Sequence, residues 1–347
     1  MKKIIIILVV LGMVVLGLFW LSSKLNQTNG INVKKAPTTI GYSLGVTKEE
    51  RWLKDKDLFL EKARELGVSV SVLMTDQDVE MQISQIKNLI AQKVKVIVII
   101  PSDFEKLVPV IEEARQAGIK TIAYDRLIMS EVLDLYVSFD NIKVGEMQAR
   151  EVLETMGGVG KIAYIGGSPT DNNAYLVKEG SMKILAPAIE SGDVEIVLEG
   201  FMDNWDPTMA YETVKNYLAQ GGKLDGIVAA NDGTAFGSIN ALKEFGLAGK
   251  IPISGQDAEL AACQRIIEGT QTMTVYKPIR ALAHKTAEIA AAMASGEEID
   301  TNGSAFVGEK EILAFLIEPT TVTKDNMEET VILDRFYSYN EVYGDLQ

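Results

Sequence analysis

The sequence predicts an α/β protein of two doubly wound parallel-sheet lobes, each sheet covered by helices on both faces. Short apolar runs alternate regularly with stretches of helical periodicity. The runs are apolar at nearly every position, so they suit strands buried on both faces rather than strands with one wet face. The chain has 347 residues, and roughly 310 remain after the N-terminal segment, too many for one ordinary core.

Taken in order, residues 38–44 read as a strand and 49–66 as a helix stopped by Gly67. A strand at 68–74 precedes a helix at 79–92, in which Met81, Ile83, Ile86, Leu89 and Ile90 recur at helical spacing. A strand at 94–100 ends at Pro101, a helix at 104–117 ends at Gly118, and a strand follows at 119–124. The second half repeats the scheme, with strands at 161–165, 194–198, 226–230, 251–254 and 273–276 and helices between them.

Ahead of these elements, Met1, Lys2 and Lys3 form a short cytoplasmic stub before an apolar run at 4–21 that contains no charge. The run is at the lower edge of what spans a bilayer, and the two lysines set the cytoplasmic side. An uncleaved anchor and a cleaved signal both remain open. Ser22 and Ser23 stand where a lipid-anchoring cysteine would, and 22–37 reads as a polar linker. The folded part is expected outside the cell membrane, or in the periplasm of a Gram-negative cell.

Composition narrows the chemistry. A net charge of −14 repels phosphate backbones and argues against nucleic acid as a partner. Cys263 and His284 are single residues of their kinds, too few for a zinc centre, a His-based triad or a disulfide framework. No GxxxxGK[ST] loop and no EF-hand-like acidic loop occurs, so neither cofactor nor metal is expected.

Ligands of doubly wound sheets bind beyond the carboxyl ends of the strands. Those ends carry Arg51-Trp52-Leu53-Lys54, Asp125-Arg126, Asp171-Asn172-Asn173, Trp205, Asn231-Asp232, Gly255-Gln256-Asp257 and Lys277. Taken singly, Asp171 and Asn231 read as helix N-caps, Asp125-Arg126 as a local ion pair, Gly255-Gln256-Asp257 as a turn and Lys277 as a solvated residue. Taken together, they mix acceptors, donors and two indoles, one from each half. A monosaccharide offers hydroxyls that both donate and accept and C–H faces that stack on rings. The interleaving of acids with Arg, Lys and Asn is expected to keep the carboxylates ionised, which argues against a glycosidase acid and for a non-enzyme.

The sequence resembles the ribose/galactose group of sugar-binding periplasmic proteins, closest to its D-xylose-binding branch, over about 38–319. The resemblance is carried by Glu50-Arg51-Trp52-Leu53-Lys54-Asp55, Ala123-Tyr124-Asp125-Arg126, Ser138-Phe139-Asp140-Asn141, Gly166 to Ala174, Asn231-Asp232, Ser254 to Ala258 and Gly269 to Pro278. It implies a type I periplasmic binding protein fold whose chain crosses between lobes three times, near Asp140, Lys277 and Phe306. One lobe would then be 38–140 with 278–306, and the other 141–277 with 307–347. The resemblance further implies that Trp52 and Trp205 sandwich a pyranose. Asp125, Asp171 and Asp257 would accept from hydroxyls, Arg51, Lys54, Arg126 and Lys277 would donate, and Asn173 and Asn231 would do either. Closure of the lobes on the sugar would be read by a membrane partner, a sensor histidine kinase or the permease of an ABC transporter.

Overall fold

The computed structural model describes residues 40–48 and 51–344. The expected membrane segment at 4–21 and the linker at 22–37 lie outside the described residues. Among the described residues no helix is long and apolar enough to cross a membrane.

In chain order the principal elements are β1 (Ile40–Leu44), α1 (Arg51–Glu65), β2 (Val70–Met74), α2 (Val79–Ala91), β3 (Val96–Ile100), α3 (Val108–Gln116), β4 (Lys120–Tyr124) and β5 (Leu135–Phe139). Then follow α4 (Asn141–Thr155), β6 (Gly160–Ile165), α5 (Asn172–Ser191), β7 (Val194–Gly200), α6 (Pro207–Ala219), β8 (Gly226–Ala229), α7 (Asp232–Glu244) and α8 (Leu260–Glu268). The chain closes with β9 (Thr274–Tyr276), α9 (Ile279–Ser295), β10 (Gly303–Val307), β11 (Lys310–Ile317), β12 (Thr320–Val322) and α10 (Tyr339–Tyr343).

The first sheet has the order β10-β11-β5-β4-β3-β1-β2. All its pairings are parallel except the β10–β11 hairpin. Strands β1 and β3 are buried at every position, with sequences IGYSL and VIVII, because helices cover both faces. Trp52 and Phe59 of α1 and Leu282, Ala283 and Ala287 of α9 close one face. Ile86 and Leu89 of α2 and Val110, Ile111 and Ala114 of α3 close the other.

The second sheet has the order β7-β6-β8. Beyond β8, the expected strand at 251–254 is reduced to one parallel bridge, Ile253 to Ile227. β9 then runs beside the 253–257 segment, with Val275 N donating to Gly255 O at 3.1 Å and Asp257 N to Val275 O at 2.8 Å. The segment's backbone is claimed on one side by β9 and on the other by Ile227. Helices α4 and α5 cover one face through Ala149, Val152 and Leu185. Helices α6 and α7 cover the other through Val214, Leu218, Ile239 and Leu242.

Two elements of the sequence reading need correction. β5, β10, β11 and β12 were not foreseen as strands, and the third crossing does not fall near Phe306. β11 pairs in parallel with β5, Ala314 opposite Tyr136 and Ile317 opposite Phe139. Residues 303–317 therefore complete the first sheet, and the chain leaves it at Glu318 and Pro319 before β12 joins β9. The first two passages lie between β5 and α4 and between β9 and α9.

Candidate functional site

The carboxyl ends of both sheets face each other across a cleft lined by Arg51, Trp52, Asp125, Arg126, Asp171, Asn173, Trp205, Asn231, Gln256, Asp257 and Lys277, with ≈ 330 Å³ of atom-free space counted together with its opening to solvent. Ten of the eleven residues expected from the sequence meet here. Lys54 does not. It sits one turn further along α1, which carries it about 4.5 Å along the helix from Arg51. Its ammonium lies 5.1 Å from the Tyr337 ring and 5.8 Å from the Phe336 ring, on the C-terminal tail. Gln256 lines the cleft but was read as part of a turn. Its position at a strand tip between Gly255 and Asp257 was the available signal.

Each lining side chain is held by its element. Asp171 is the N-cap of α5, its Oδ1 accepting from Asn173 N at 3.0 Å, while its Oδ2 faces Arg126 Nε at 2.8 Å and accepts from Trp205 Nε1 at 3.1 Å. Asn231 caps α7 in a reciprocal capping box with Thr234. The two cap readings and the cleft reading thus describe the same residues. Three lining residues, Asp125 (φ 62°), Trp205 (φ 56°) and Asp257 (φ 93°), occupy left-handed backbone. Such strain costs about 1–3 kcal/mol per residue and persists where surrounding bonds over-determine it. At Asp125 those bonds are visible: its carbonyl accepts from Ser138 Oγ at 2.6 Å, Tyr136 OH at 3.0 Å and Asn173 Nδ2 at 3.0 Å.

The tryptophans are backed by the cores of their own lobes. The Trp205 ring lies directly on Gly167, where a Cβ would come within 2.2 Å of the indole; glycine is required there by that approach. The Trp52 ring carries the Arg51 guanidinium at 4.3 Å and the Arg126 guanidinium at 5.1 Å. Its π face is therefore engaged by cations as well as directed to the cleft.

Charges in the cleft balance: Arg51, Arg126 and Lys277 against Asp125, Asp171 and Asp257. Arg51 reaches both lobes, donating to Asp125 Oδ2 at 2.7 Å and to Asp257 Oδ1 at 2.9 Å. Lys277 meets the same Asp257 oxygen at 2.9 Å. Burial alone would raise the Asp125 carboxyl, but Arg51, Lys277 and Arg126 outweigh it and hold it below its ordinary value. Asp171 moves the other way, because its burial exceeds the pull of Arg126 and of its hydrogen bonds. The expectation that every cleft acid is held firmly ionised is thus met at Asp125 and weakened at Asp171. Behind Arg51 lies a residue outside the lining set, Asp55. It is fully buried, accepts from the Tyr124 hydroxyl and has a longer contact of 3.4 Å from Arg51 Nε.

Asn173 is used differently from the expectation that it would serve a ligand in either direction. Its Nδ2 donates to Asp125 O and Oδ1 at 3.0 and 3.1 Å, and its Oδ1 accepts from Asn141 Nδ2 at 3.0 Å, with the Tyr136 hydroxyl, whose single proton is shared with the Asp125 carbonyl, at 3.2 Å. An amide has two N–H groups and two lone pairs, so protein partners take both N–H groups and at least one lone pair, and most of them lie across the cleft from α5.

A neutral cleft of this kind, with donors and acceptors alternating between two indoles, suits a neutral, polyhydroxylated ring. Comparison with known proteins places the chain in context. It matches the family described as the periplasmic binding protein domain over residues 40–298. It is 47% identical over 305 residues to the D-xylose-binding periplasmic protein of Haemophilus influenzae, covering 88% of this chain and 92% of that one. It is 45% identical over 304 residues to the D-xylose-binding periplasmic protein of Escherichia coli, covering 87% and 92%. Among solved structures, the carbohydrate transporter solute binding protein of Chloroflexus aurantiacus in complex with D-glucose superposes with a TM-score of 0.80 at 31% identity, covering 87% of this chain and 97% of that one.

Proposed function

The chain belongs to the periplasmic binding protein domain family, and from that premise we propose that it binds D-xylose between its lobes, outside the cytoplasm, and delivers the sugar to a membrane transporter. The balance of three cations against three carboxylates, between Trp52 and Trp205, carries this reading. An anionic or cationic ligand would leave one sign of charge unpaired in a buried place, whereas a neutral sugar inserts hydroxyls among charges that already offset one another. The relatives named for D-xylose supply the choice among monosaccharides. The Chloroflexus relative, named as a transporter component, supports delivery over catalysis.

In this reading Asp125, Asp171 and Asp257 accept from hydroxyls. Arg51, Arg126 and Lys277 donate, Asn231 extends the polar rim, and the Trp205 indole presents an apolar face to the ring. Calorimetric titration with xylose, arabinose, ribose, glucose and galactose tests it. Saturable binding of xylose, on the order of micromolar or tighter, is the expected result, and Trp205→Ala should weaken it by at least about tenfold by removing the stacking surface and the Asp171 donor. No heat with any of the five sugars would overturn the reading. Purification from membranes tests delivery: recovery with permease subunits supports it, and recovery with a sensor histidine kinase alone replaces delivery by reporting.

A further inference from the structure

Among the lining residues, Gln256 stands apart. It is 3% exposed, it faces the cleft, and its Oε1 is buried with no hydrogen-bond partner from the protein. Each other polar residue of the cleft has at least one such partner: Arg51 has two carboxylates, Arg126 and Trp205 share Asp171, Lys277 meets Asp257, and Asn231 caps α7. A buried acceptor left unpaired is costly and uncommon in folded proteins.

The backbone around it leaves little room to turn away. Gln256 O accepts from Asp232 N at 3.0 Å, and Asp257 N donates to Val275 O at 2.8 Å. Beneath the turn, the fully buried Asp232 carboxylate accepts from Glu259 N at 2.9 Å, Gln271 Nε2 at 2.8 Å and Thr274 Oγ1 at 2.9 Å. Gly255 packs so closely on this carboxylate that a Cβ would lie 2.0 Å from Asp232 Oδ1. The following residues, Asp257 and Ala258, hold left-handed backbone at φ 93° and 50°. The loop is thus braced on both sides, and the braced arrangement keeps the Gln256 side chain among the residues that line the cleft.

We propose that the Gln256 side-chain carbonyl is a specificity-determining group of this cleft, accepting a hydrogen bond from one hydroxyl of the bound monosaccharide. The inference rests on the sugar-binding reading above and adds a directional requirement to it: the hydroxyl must donate at this position, because Oε1 only accepts. Sites that pair a buried polar group with a substrate hydroxyl reject analogues lacking that hydroxyl far more strongly than apolar pockets do.

The test compares the full-length chain with Gln256→Met, which keeps length and loses the acceptor. Expected for the variant is xylose affinity weaker by about tenfold to a hundredfold, with a melting temperature of the sugar-free protein equal to or above that of the parent. Loss of an orphaned acceptor relieves the fold even as it impairs the site, and a purely structural role would move both readouts down together. Within the set of monodeoxy xyloses, one should bind parent and variant about equally. The fluoro sugar at that same position should bind the parent no better than the deoxy sugar does, since fluorine cannot donate. Xylose binding in Gln256→Met within about twofold of the parent, or equal losses for every deoxy sugar, would overturn the assignment while leaving the sugar-binding reading intact. Failure of the parent to bind any sugar would remove both.

Discussion

Asp55 shows how one residue behind a site sets its charge. Burial pushes its carboxyl up from 3.8 to about 6, despite Arg51 and the Tyr124 hydroxyl, which favour the ionised form. A carboxyl whose folded value is raised binds its proton more tightly in the folded than in the unfolded state. Its contribution is therefore fully present below pH 3.8 and is lost as pH rises through about 6. The rise from 3.8 to about 6 corresponds to a contribution on the order of 3 kcal/mol. Asp55→Asn removes this titration. Denaturation measured between pH 4.5 and 7.5 should show the parent losing stability relative to Asp55→Asn as pH rises across that window. Parallel profiles for the two proteins would show that Asp55 is ionised throughout and that Arg51 compensates its burial. At the same scale, Lys54 illustrates what residue type and spacing leave out. Its neighbours Arg51 and Trp52 are at the strand tips, and the resemblance grouped all three. One further helical turn instead carries the ammonium to Phe336 and Tyr337, tail residues whose location no local pattern reveals.

Helices α4 and α5 pack through glycine. A Cβ at Gly145 would lie 1.9 Å from Val177 O, and one at Gly180 would lie 1.9 Å from Ile142 O. Both obstacles are backbone atoms, which cannot swing aside, so the helices must separate. Gly145→Ala or Gly180→Ala should cost about 1–3 kcal/mol in urea unfolding, outweighing the gain in helix propensity of at most about 1 kcal/mol. Unchanged or raised stability would show that the pair can slide apart freely. Gly237 makes the same kind of approach to Pro207 O, at 2.0 Å, between α6 and α7. Element reading from the sequence succeeded where burial is symmetric. β1, β3, β4, β6 and β8 are apolar runs walled by helices, and the tips of β1, β4, β6 and β8 brought seven of the expected residues to the cleft, with Trp205 after β7, Asp257 in the 253–257 segment and Lys277 after β9 completing the ten. It failed at β10 and β11, where one face is wet: in KEILAFLI the exposed positions include the apolar Leu313, so the in–out alternation of burial is not mirrored in residue type. It failed also at β5, whose run LYVSF is interrupted by Ser138, a residue buried because it donates to the Asp125 carbonyl. The third crossing was misplaced for the same reason, since only the pairing of β11 with β5 shows which sheet residues 303–317 complete. Gln256 escaped because an unpartnered atom is a property of its surroundings and leaves no mark in the residue sequence.

At the scale of the whole molecule, the two lobes meet on both sides of the cleft. On one side run the three crossings, where Asp140 N donates to Ile317 O at 3.2 Å and Lys143 pairs with Glu318. On the other side, Phe104 N donates to Thr170 O at 3.2 Å, and the Phe104 ring meets Tyr175 edge-on at 6.2 Å. Tyr175 in turn packs on Phe201 at 5.1 Å. Between them, Arg51 with Asp257, Arg126 with Asp171 and Asn173 with Asp125 tie one lobe to the other. If the lobes part to admit a ligand, its affinity contains the closing equilibrium, because both halves of the site are then offered only by the closed form. The rim aromatics lie outside the cleft lining and still bear on that equilibrium. Tyr175 is 42% exposed, so Tyr175→Ala removes little core and should leave unfolding nearly unchanged. It should weaken sugar binding by about threefold to tenfold, the worth of an aromatic pair at roughly 0.5–1.5 kcal/mol. In a cycle where the lobes close after the sugar enters, the contact forms late, and the loss then belongs mainly in a faster release rate rather than a slower entry. Stopped-flow fluorescence from the cleft tryptophans separates the two rates. If release is unaltered in Tyr175→Ala and in Phe104→Ala, the rim contributes nothing to holding the lobes together, and closure rests on the charged pairs inside the cleft alone.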